Sequence, residues 1–136
     1  MRAADERGAD VRLLLPGPIT DNPAVRYASQ RFYTHLLKAG IRIYEYQSTF
    51  MHAKASLVDD WVTVGSANFD RWSIARNLEA NLEINDTDLA GHMDEMFSED
   101  FALSSEITLA DWQHRPARQR WREKSWGIIE SWLNKR

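Results

Sequence analysis

The sequence contains no cysteine among its 136 residues, and this absence removes two kinds of architecture. A disulfide framework and a cysteine-based metal site both need thiols, so neither is available to the chain. The absence also fits a protein of a reducing compartment. What remains is a composition with 43% hydrophobic and 27% charged residues, which is ordinary for one globular domain with its own core.

Long apolar runs are also missing from the sequence. No run reaches the roughly 18 apolar residues that mark a membrane-spanning helix. The first ten residues, MRAADERGAD, have no apolar centre and do not resemble a secretory signal. We therefore expect no transmembrane helix in this chain.

The net positive charge that is typical of nucleic-acid-binding domains is absent as well. The chain has 17 Lys and Arg residues against 20 Asp and Glu residues, a net charge of −3. Seven of the basic residues and two of the acidic ones lie in residues 115–136, so a basic tail follows an acidic body. This split disfavours a nucleic-acid binder. It favours a local contact with an anionic partner, such as a membrane surface.

The periodicity of the apolar residues predicts strands that alternate with helices. Strands are expected at residues 11–15, 41–46, 55–58, 61–64 and 78–84. Helices are expected at residues 23–39, 70–76, 87–97, 108–113 and 117–134, and residues 1–9 resemble the end of another helix. The order strand, helix, strand at the start predicts a crossover and a parallel pairing of the first two strands.

Local signals mark the ends of the early elements. Asn22 is a candidate N-cap before Pro23, and Gly40 is a candidate helix stop. Between them, apolar residues recur at helical spacing and predict one continuous helix with a single apolar face: Val25, Ala28, Phe32 and Leu36. Asp59 and Asp60 suit a tight turn between two strands.

The later elements carry similar signals. Asp86 or Thr87 is expected to cap a helix, and Asp111 stands at capping-box spacing in the helix after it. The helix from residue 87 has one apolar face: Leu89, Met93, Met96 and Phe97. Residues 78–84 alternate apolar and polar types, which predicts a half-buried strand with one inward set: Leu78, Ala80, Leu82 and Ile84.

The polar residues of segment 51–70 point to phosphate chemistry. On a strand, residues two apart share a face, so His52 and Lys54 are expected to project together. The lysine would neutralise phosphate oxygens while the imidazole attacks phosphorus or moves a proton. Ser66 and Asn68 follow a glycine and add neutral donors for the same phosphate.

One spacing in this segment is specific, namely H-x-K-x4-D-x5-G-S-x-N. It begins at His52 and closely resembles the HKD motif of the phospholipase D superfamily. Glu79 stands eleven residues beyond Asn68, where that family places a glutamate that hydrogen-bonds the nucleophilic histidine. The flanking residues 21–47 and 77–84 resemble the C-terminal half of bacterial cardiolipin synthases, and the resemblance covers roughly residues 8–115.

The resemblance implies a two-step phosphodiester exchange that needs no metal and no other cofactor. The histidine of one motif attacks phosphorus and forms a phosphohistidine. The histidine of the other motif protonates the leaving alcohol and then deprotonates the incoming one. In cardiolipin synthases the substrate is phosphatidylglycerol, the acceptor is a second phosphatidylglycerol, and glycerol leaves.

The resemblance also implies a role for each motif residue. His52 would be the nucleophile or the general acid/base, and Lys54 would bind the phosphate. Ser66 and Asn68 would complete the phosphate cradle, and Glu79 would orient His52.

Asp59 also belongs to the motif, and two roles stay open for it. It would support the site more structurally, or it would take part in the chemistry; a turn residue suits the first role as well as the second. The other histidines, His35, His92 and His114, have no lysine two residues later and are expected at the surface.

The family site needs two HKD motifs, and this chain has one. The chain therefore resembles an isolated C-terminal half, either a separate half-length protein or a truncated one. A complete site would need a homodimer, as in single-motif nucleases of the superfamily, or a partner chain that carries the other motif. A monomer is expected to be inactive.

The basic tail also has two interpretations. Its tryptophans, Trp121, Trp126 and Trp132, lie among Arg and Lys residues, as in a helix that lies at a membrane interface. The same residues would also suit a helix that packs on the domain. We treat residues 1–115 as a phospholipase D-like domain and residues 116–136 as a basic, Trp-rich C-terminal helix.

The predicted fold is an α/β half-domain of the phospholipase D type, a mixed β-sheet flanked by helices. The predicted function is phosphatidyl transfer of the cardiolipin synthase type, at the cytoplasmic face of a bacterial cell membrane as a peripheral protein. One alternative is a single-motif phosphodiesterase or nuclease acting as a homodimer. Another is an inactive truncated fragment.

Overall fold

The computed structural model describes residues 8–21, 23–67 and 78–116, and the chain divides into two compact units. The first unit comprises Met1–Met51 and Leu103–Arg136, and the second comprises His52–Ala102. Within the described ranges, no helix is both long enough and apolar enough to cross a membrane.

Six strands and four helices lie in the described residues. The strands are β1 (Arg12–Pro16), β2 (Arg42–Tyr46), β3 (Ala55–Val58), β4 (Trp61–Gly65), β5 (Asn81–Asn85) and β6 (Ser104–Ile107). The helices are α1 (Pro23–Gln30), α2 (Tyr33–Lys38), α3 (Thr87–Ala102) and α4 (Leu109–His114).

The first unit contains a mixed sheet in the order β1-β2-β6. β1 and β2 are parallel, from Arg12 opposite Arg42 to Pro16 opposite Tyr46, and α1 and α2 connect them. The predicted crossover and its parallel pairing are therefore confirmed. β6 pairs with the other edge of β2 in the antiparallel direction.

The predicted single helix at residues 23–39 is wrong, because α1 and α2 are separated by a turn. The Ser29 hydroxyl donates to the Arg26 carbonyl at 2.9 Å, and the Phe32 N–H bonds to the Ser29 carbonyl at 3.0 Å. A serine hydroxyl that competes for a helical carbonyl bends or ends a helix. As a result, Phe32 is exposed and does not face the core.

The predicted stop at Gly40 is confirmed. The Gly40 N–H bonds to the Leu37 carbonyl, and the Ile41 N–H bonds to the Leu36 carbonyl, each at 3.2 Å. This pair of bonds is a Schellman motif, which needs a left-handed residue after the helix. Gly40 has a φ of 81°, which glycine adopts without steric cost.

Aromatic side chains form the core of the first unit. Tyr33 from α2, Ile43 from β2 and Trp112 from α4 are almost completely buried. The rings of Tyr33 and Trp112 have centroids 4.9 Å apart, and the Trp112 indole N–H donates to the Thr34 hydroxyl at 3.1 Å. Burial of each large side chain contributes roughly 1.5–3 kcal/mol, so these residues fix α2 and α4 on the sheet.

A buried carboxylate ties α1 to β2. Glu45 is 5% exposed and accepts three hydrogen bonds, from Arg26 Nη2 at 2.5 Å, Gln30 Nε2 at 2.9 Å and the Tyr33 hydroxyl at 3.2 Å. A buried charge is costly unless it is paired and hydrogen-bonded. Here both conditions are met, so Glu45 stabilises the fold of the first unit.

β6 was not predicted from the sequence. Its residues, SSEI, lack the β-branched and aromatic alternation of a typical strand. Its position depends on β2, and Arg42 binds both carboxylate oxygens of Glu106, at 3.0 and 3.2 Å.

The second unit contains an antiparallel sheet in the order β3-β4-β5 with α3 packed against it. Val62 is completely buried and packs with Ala90 and Met93 of α3. The predicted cap is Asp86, whose Oδ1 accepts the Leu89 N–H at 2.8 Å. Met96, which was predicted on the apolar face, is exposed.

The predicted half-buried strand at residues 78–84 is only partly correct. β5 begins at Asn81, and Leu78 and Leu82 are exposed by 105% and 59%. α3 packs against β3 and β4, and within β5 Leu82 is exposed while Ile84 is half-buried.

The remaining predictions have mixed outcomes. α4 begins after Thr108, whose hydroxyl accepts the Asp111 N–H at 3.1 Å, as the capping-box spacing predicted. The described strands form two sheets, one mixed and one antiparallel, and the α/β class with flanking helices is confirmed. The Asn22 cap and the predicted helices at residues 70–76 and 117–134 lie outside the described residues. Of the helix end predicted at residues 1–9, only Gly8 and Ala9 are described, and neither is helical. The domain division after residue 115 stays a prediction.

Candidate functional site

His52 and Lys54 lie in the segment that leads into β3. The prediction that both lie on a strand is wrong, because the β3–β4 ladder begins only at Ala55 opposite Val64. Lys54 is nevertheless fixed to the sheet, since its carbonyl accepts the Gly65 N–H at 3.1 Å. Its ammonium donates to the His52 carbonyl at 3.1 Å. His52 is exposed and Lys54 is half-buried.

Ser66 follows β4 and is bound to the segment before β5. Its N–H donates to the Ala80 carbonyl at 3.0 Å, and its hydroxyl oxygen accepts the Ala80 N–H at 3.0 Å. The hydroxyl hydrogen points to the Ala80 carbonyl over 3.5 Å, a long and weak bond that a ligand could replace. Ser66 is also exposed, so its hydroxyl can serve a ligand while its backbone holds the sheet.

Glu79 reaches the same end of the sheet through its neighbour Ala80. Because Ala80 is hydrogen-bonded on both sides to Ser66, Glu79 lies next to the end of β4. Its side chain is half-buried. The backbone pairing thus brings the chain segments of Lys54, Ser66 and Glu79 together at one end of the sheet. Asn68 lies outside the described residues.

Asp59 lies at the other end of this sheet. It occupies the turn between β3 and β4, where Val58 is opposite Trp61, and it has a φ of 53°. The four residues of β3 at about 3.3 Å each separate it from Lys54 by more than 13 Å. Aspartate is one of the few non-glycine residues that tolerate a left-handed conformation. Its position therefore suits the supporting role better than the chemical one.

A shallow depression of about 420 Å³ also lies at the Asp59 end. Its lining includes three carboxylates, and the full set is Leu57, Asp59, Asp60, Thr87, Ala90, Gly91 and Asp94. Carboxylates repel an anion, so this depression does not suit a phosphate.

Ion pairs and burial shift the pKa values of several side chains around the sheet of the first unit. The bond from Arg42 lowers the pKa of Glu106, and the bond from Arg12 lowers the pKa of Asp10. Burial raises the pKa of Tyr44. None of these three residues belongs to the HKD motif, which begins at His52.

The other histidines are exposed, as predicted. The Nδ1 atom of His114 lies 2.8 Å from the carbonyl oxygen of Ala110, one turn earlier in α4. Across residues 8–21, 23–67 and 78–116, no three His, Asp or Glu side chains are grouped closely enough to hold a metal ion.

The end of the β3-β4-β5 sheet that contains Lys54, Ser66 and Glu79 is called the site end below. Sequence reasoning missed one polar residue at this end, Asn81. Its Oδ1 accepts the Ala67 N–H at 3.2 Å, directly before Asn68 in the sequence. The available signal was Gly65 at the end of a strand, which often marks a close approach of another backbone.

Comparison with known proteins agrees with the motif. The family model described as cardiolipin synthase, PLD-like domain, matches residues 1–101. The chain is 38% identical over 118 residues to minor cardiolipin synthase ClsB of Bacillus subtilis, covering 86% of this chain. It is 36% identical over 134 residues to cardiolipin synthase 2 of Bacillus anthracis, covering 98% of this chain. It is 45% identical over 87 residues to cardiolipin synthase B of Salmonella typhi, covering 63% of this chain.

These relatives are much longer proteins. The chain spans 29%, 26% and 21% of their respective lengths. Among solved structures, a phospholipase D family member, Nuc from Salmonella typhimurium, matches with a TM-score of 0.66 at 23% identity. That match covers 79% of this chain and 70% of the Nuc chain, and it confirms the fold. The matched family model covers well over half of the sequence, so the chain belongs to the cardiolipin synthase, PLD-like domain family.

Proposed function

We propose that this chain supplies one half of a phosphatidyl-transfer site of the cardiolipin synthase type. The observation that carries the proposal is the pairing that brings the segments of Lys54, Ser66 and Glu79 to one end of the β3-β4-β5 sheet. It occurs in a chain whose family is that of cardiolipin synthases. The full activity belongs to longer proteins, so a second HKD motif is required, from a second copy or from a partner chain.

The reaction exchanges one phosphodiester for another. In the first step one histidine nitrogen attacks the phosphorus of phosphatidylglycerol, a P–N bond forms and the P–O bond to glycerol breaks. The second histidine gives its proton to the glycerol oxygen. In the second step the same histidine takes the proton from a hydroxyl of another phosphatidylglycerol, whose oxygen attacks phosphorus and breaks the P–N bond. His52 would be either the nucleophile or the acid/base.

The other site residues serve the phosphate. Lys54 would neutralise its non-bridging oxygens, and Ser66 and Asn68 would donate hydrogen bonds to them. Negative charge grows on those oxygens in the transition state, where preorganised donors have their largest effect. Glu79 would orient His52. Asp59 would shape the β3–β4 turn.

The substrate implies work at a membrane surface. Phosphatidylglycerol resides in the bilayer, and the basic residues of the tail at 116–136 would attract an anionic surface. We propose that the chain is a peripheral protein on the cytoplasmic face of the cell membrane, whose anionic lipids would attract the basic tail.

The decisive experiment measures phosphatidylglycerol turnover by this chain alone and mixed with a chain carrying the other motif. We expect cardiolipin and free glycerol to form in the mixture, or with the chain alone if it is a homodimer. Sedimentation separates these two cases. His52→Ala should reduce turnover by about 10³-fold or more, since it removes the nucleophile or the acid/base.

His92→Ala is the matched control, because His92 is an exposed histidine on α3. It should leave turnover unchanged. A His52→Ala variant with wild-type turnover would sink the proposed chemistry. A chain that stays a strict monomer and forms no product with any partner would instead be an inactive fragment.

A second candidate is a single-motif phosphodiesterase or nuclease that acts as a homodimer. The match to Nuc over 70% of that chain favours it, because a phospholipase D family member of comparable length exists. The acidic body opposes it, since phosphate-backbone binding needs a basic groove. Salt-sensitive DNA binding with cleavage that His52→Ala abolishes would favour this candidate over lipid transfer.

A further inference from the structure

The final residue pair of β4 and β5 joins Gly65 to Asn81. A Cβ atom at Gly65 would lie 2.1 Å from Asn81 Oδ1 and 2.3 Å from the Ala80 carbonyl oxygen. Both distances are far below normal contact. The absence of a side chain at residue 65 therefore allows the Asn81 amide to lie across the end of β4.

From that place the Asn81 amide holds the next part of the chain. Its Oδ1 accepts the Ala67 N–H at 3.2 Å, and Ala67 is the residue between Ser66 and Asn68. Only the carbonyl side of the amide can accept this bond, so the contact also fixes the orientation of the amide.

The Ser66 bonds to Ala80 complete the attachment. They fix the backbone and hydroxyl oxygen of Ser66, and the Asn81 bond fixes the backbone of Ala67. Ser66 of the predicted phosphate cradle and its neighbour Ala67 are thus held by Ala80 and Asn81, at the start of β5. Asn81 has no counterpart in the HKD spacing, and its neutral amide has no acid/base chemistry.

We propose that Asn81 is a positioning residue that, through the Ala67 backbone, holds Ser66 and Ala67 in the geometry that binds phosphate. This inference rests on the proposed function, because it assumes that Ser66 and Asn68 bind the phosphate of a phosphodiester. The position of Asn81 also requires glycine at residue 65, since any side chain there would displace the Asn81 amide.

The first test measures the hydrogen bond itself. In Asn81→Ala, the Ala67 amide should exchange with solvent about two- to tenfold faster, because a net hydrogen bond of roughly 0.5–1.5 kcal/mol is lost. Asn81→Asp keeps an acceptor oxygen at the same position and should keep this amide protected. Asn85→Ala is the matched control, since Asn85 is an exposed asparagine at the other end of β5.

The second test measures the function of the turn. Asn81→Ala should weaken the binding of inorganic phosphate to the chain about five- to tenfold and raise the KM for phosphatidylglycerol by a similar factor. Its urea midpoint should fall slightly, by the contribution of the one lost hydrogen bond, whereas Asn85→Ala should leave both binding values at wild type. A merely structural role would shift the midpoint and leave the phosphate affinity of the folded protein unchanged.

The outcomes separate the two proposals. Normal phosphate binding and KM in Asn81→Ala, with the Ala67 amide deprotected, would overturn the positioning role and leave the proposed function intact. Equal changes in phosphate affinity and KM in Asn81→Ala and Asn85→Ala would also overturn the positioning role. A wild-type chain that neither binds phosphate nor supports lipid transfer would overturn the proposed function and, with it, the positioning role.

Discussion

The charged side chains of the two compact units are used differently. In the first unit, arginines bind carboxylates: Arg12 with Asp10, Arg26 with Glu45 and Arg42 with Glu106. In the second unit, the ammonium of Lys54 donates to a backbone carbonyl and makes no ion pair with any carboxylate in the described part of the chain. The first pattern stabilises the first unit, while the second keeps the Lys54 ammonium away from carboxylates, as its proposed contact with a phosphate requires.

The means of attachment differ in the same way. In the first unit one ion pair joins two strands and another joins α1 to β2, whereas Ser66 and Asn81 make neutral hydrogen bonds in the second unit. Neutral groups can hold the backbone without forming an ion pair with the lysine that is proposed to bind the phosphate. Under the proposed function, the difference follows because a charge that is paired for stability is not available to bind a phosphate.

The sharpest way to break this comparison is Lys54→Met, which keeps the side-chain length and removes the charge. We expect about a 100-fold loss of kcat/KM for phosphatidyl transfer, as for removal of one preorganised donor. The free energy of unfolding should change by less than about 0.5 kcal/mol, because the sheet uses the Lys54 backbone. Steady-state kinetics and urea unfolding measure the two effects.

Lys38→Met is the control for that substitution, since Lys38 is an exposed lysine in the last turn of α2. It should leave transfer within twofold of wild type. A large loss of stability in Lys54→Met would show that its cation serves the fold, as the arginines of the first unit do.

Gly65→Ala tests whether the site end depends on close backbone packing. The added Cβ would overlap the Ala80 carbonyl oxygen and Asn81 Oδ1, so we expect a loss of about 2 kcal/mol in the free energy of unfolding. Gly91→Ala is the control, because nothing lies within 4 Å of its Cβ position in α3. That variant should gain roughly 0.5–1 kcal/mol from helix propensity. Equal changes in the free energy of unfolding for the two substitutions, measured by urea unfolding, would contradict the packing argument.

Local signals made much of the second unit predictable. The bounds of β3, the turn at Asp59 and the cap at Asp86 follow from interactions over a few residues. The HKD spacing also identified the family. It did not show that Asp59 lies at the far end of the sheet from Lys54, because spacing along a hairpin is not distance in space.

The features that the sequence did not predict depend mostly on interactions between distant segments of the chain. β6 forms against β2, and its own residues, SSEI, carry little strand signal. The break between α1 and α2 coincides with the Ser29 hydroxyl bond to the Arg26 carbonyl, which the apolar periodicity does not reveal. Asn81 was missed because its importance comes from Gly65 on the neighbouring strand, and pairing register is not written in either residue type.

The smallest expected effect concerns the exposed pair of Arg42 and Glu106, which should affect stability and leave transfer unchanged. Arg42 lowers the pKa of Glu106 below its ordinary value of 4.5. A carboxylate with a lowered folded-state pKa contributes stability above its unfolded-state pKa, and that contribution is lost as the pH falls through the folded-state value. Glu106→Gln should therefore destabilise the protein at neutral pH and match wild type in acid.

The size of this effect should be about 0–1 kcal/mol, because both side chains are exposed by more than 40% and solvent screens the pair. A double-mutant cycle with Arg42→Met, followed by urea unfolding at neutral and acidic pH, isolates the coupling. Coupling that vanishes in acid would confirm that the arginines of the first unit serve stability alone. A change in lipid transfer by Glu106→Gln would mean that the first unit's charges also serve the reaction, and the contrast with Lys54 would fail.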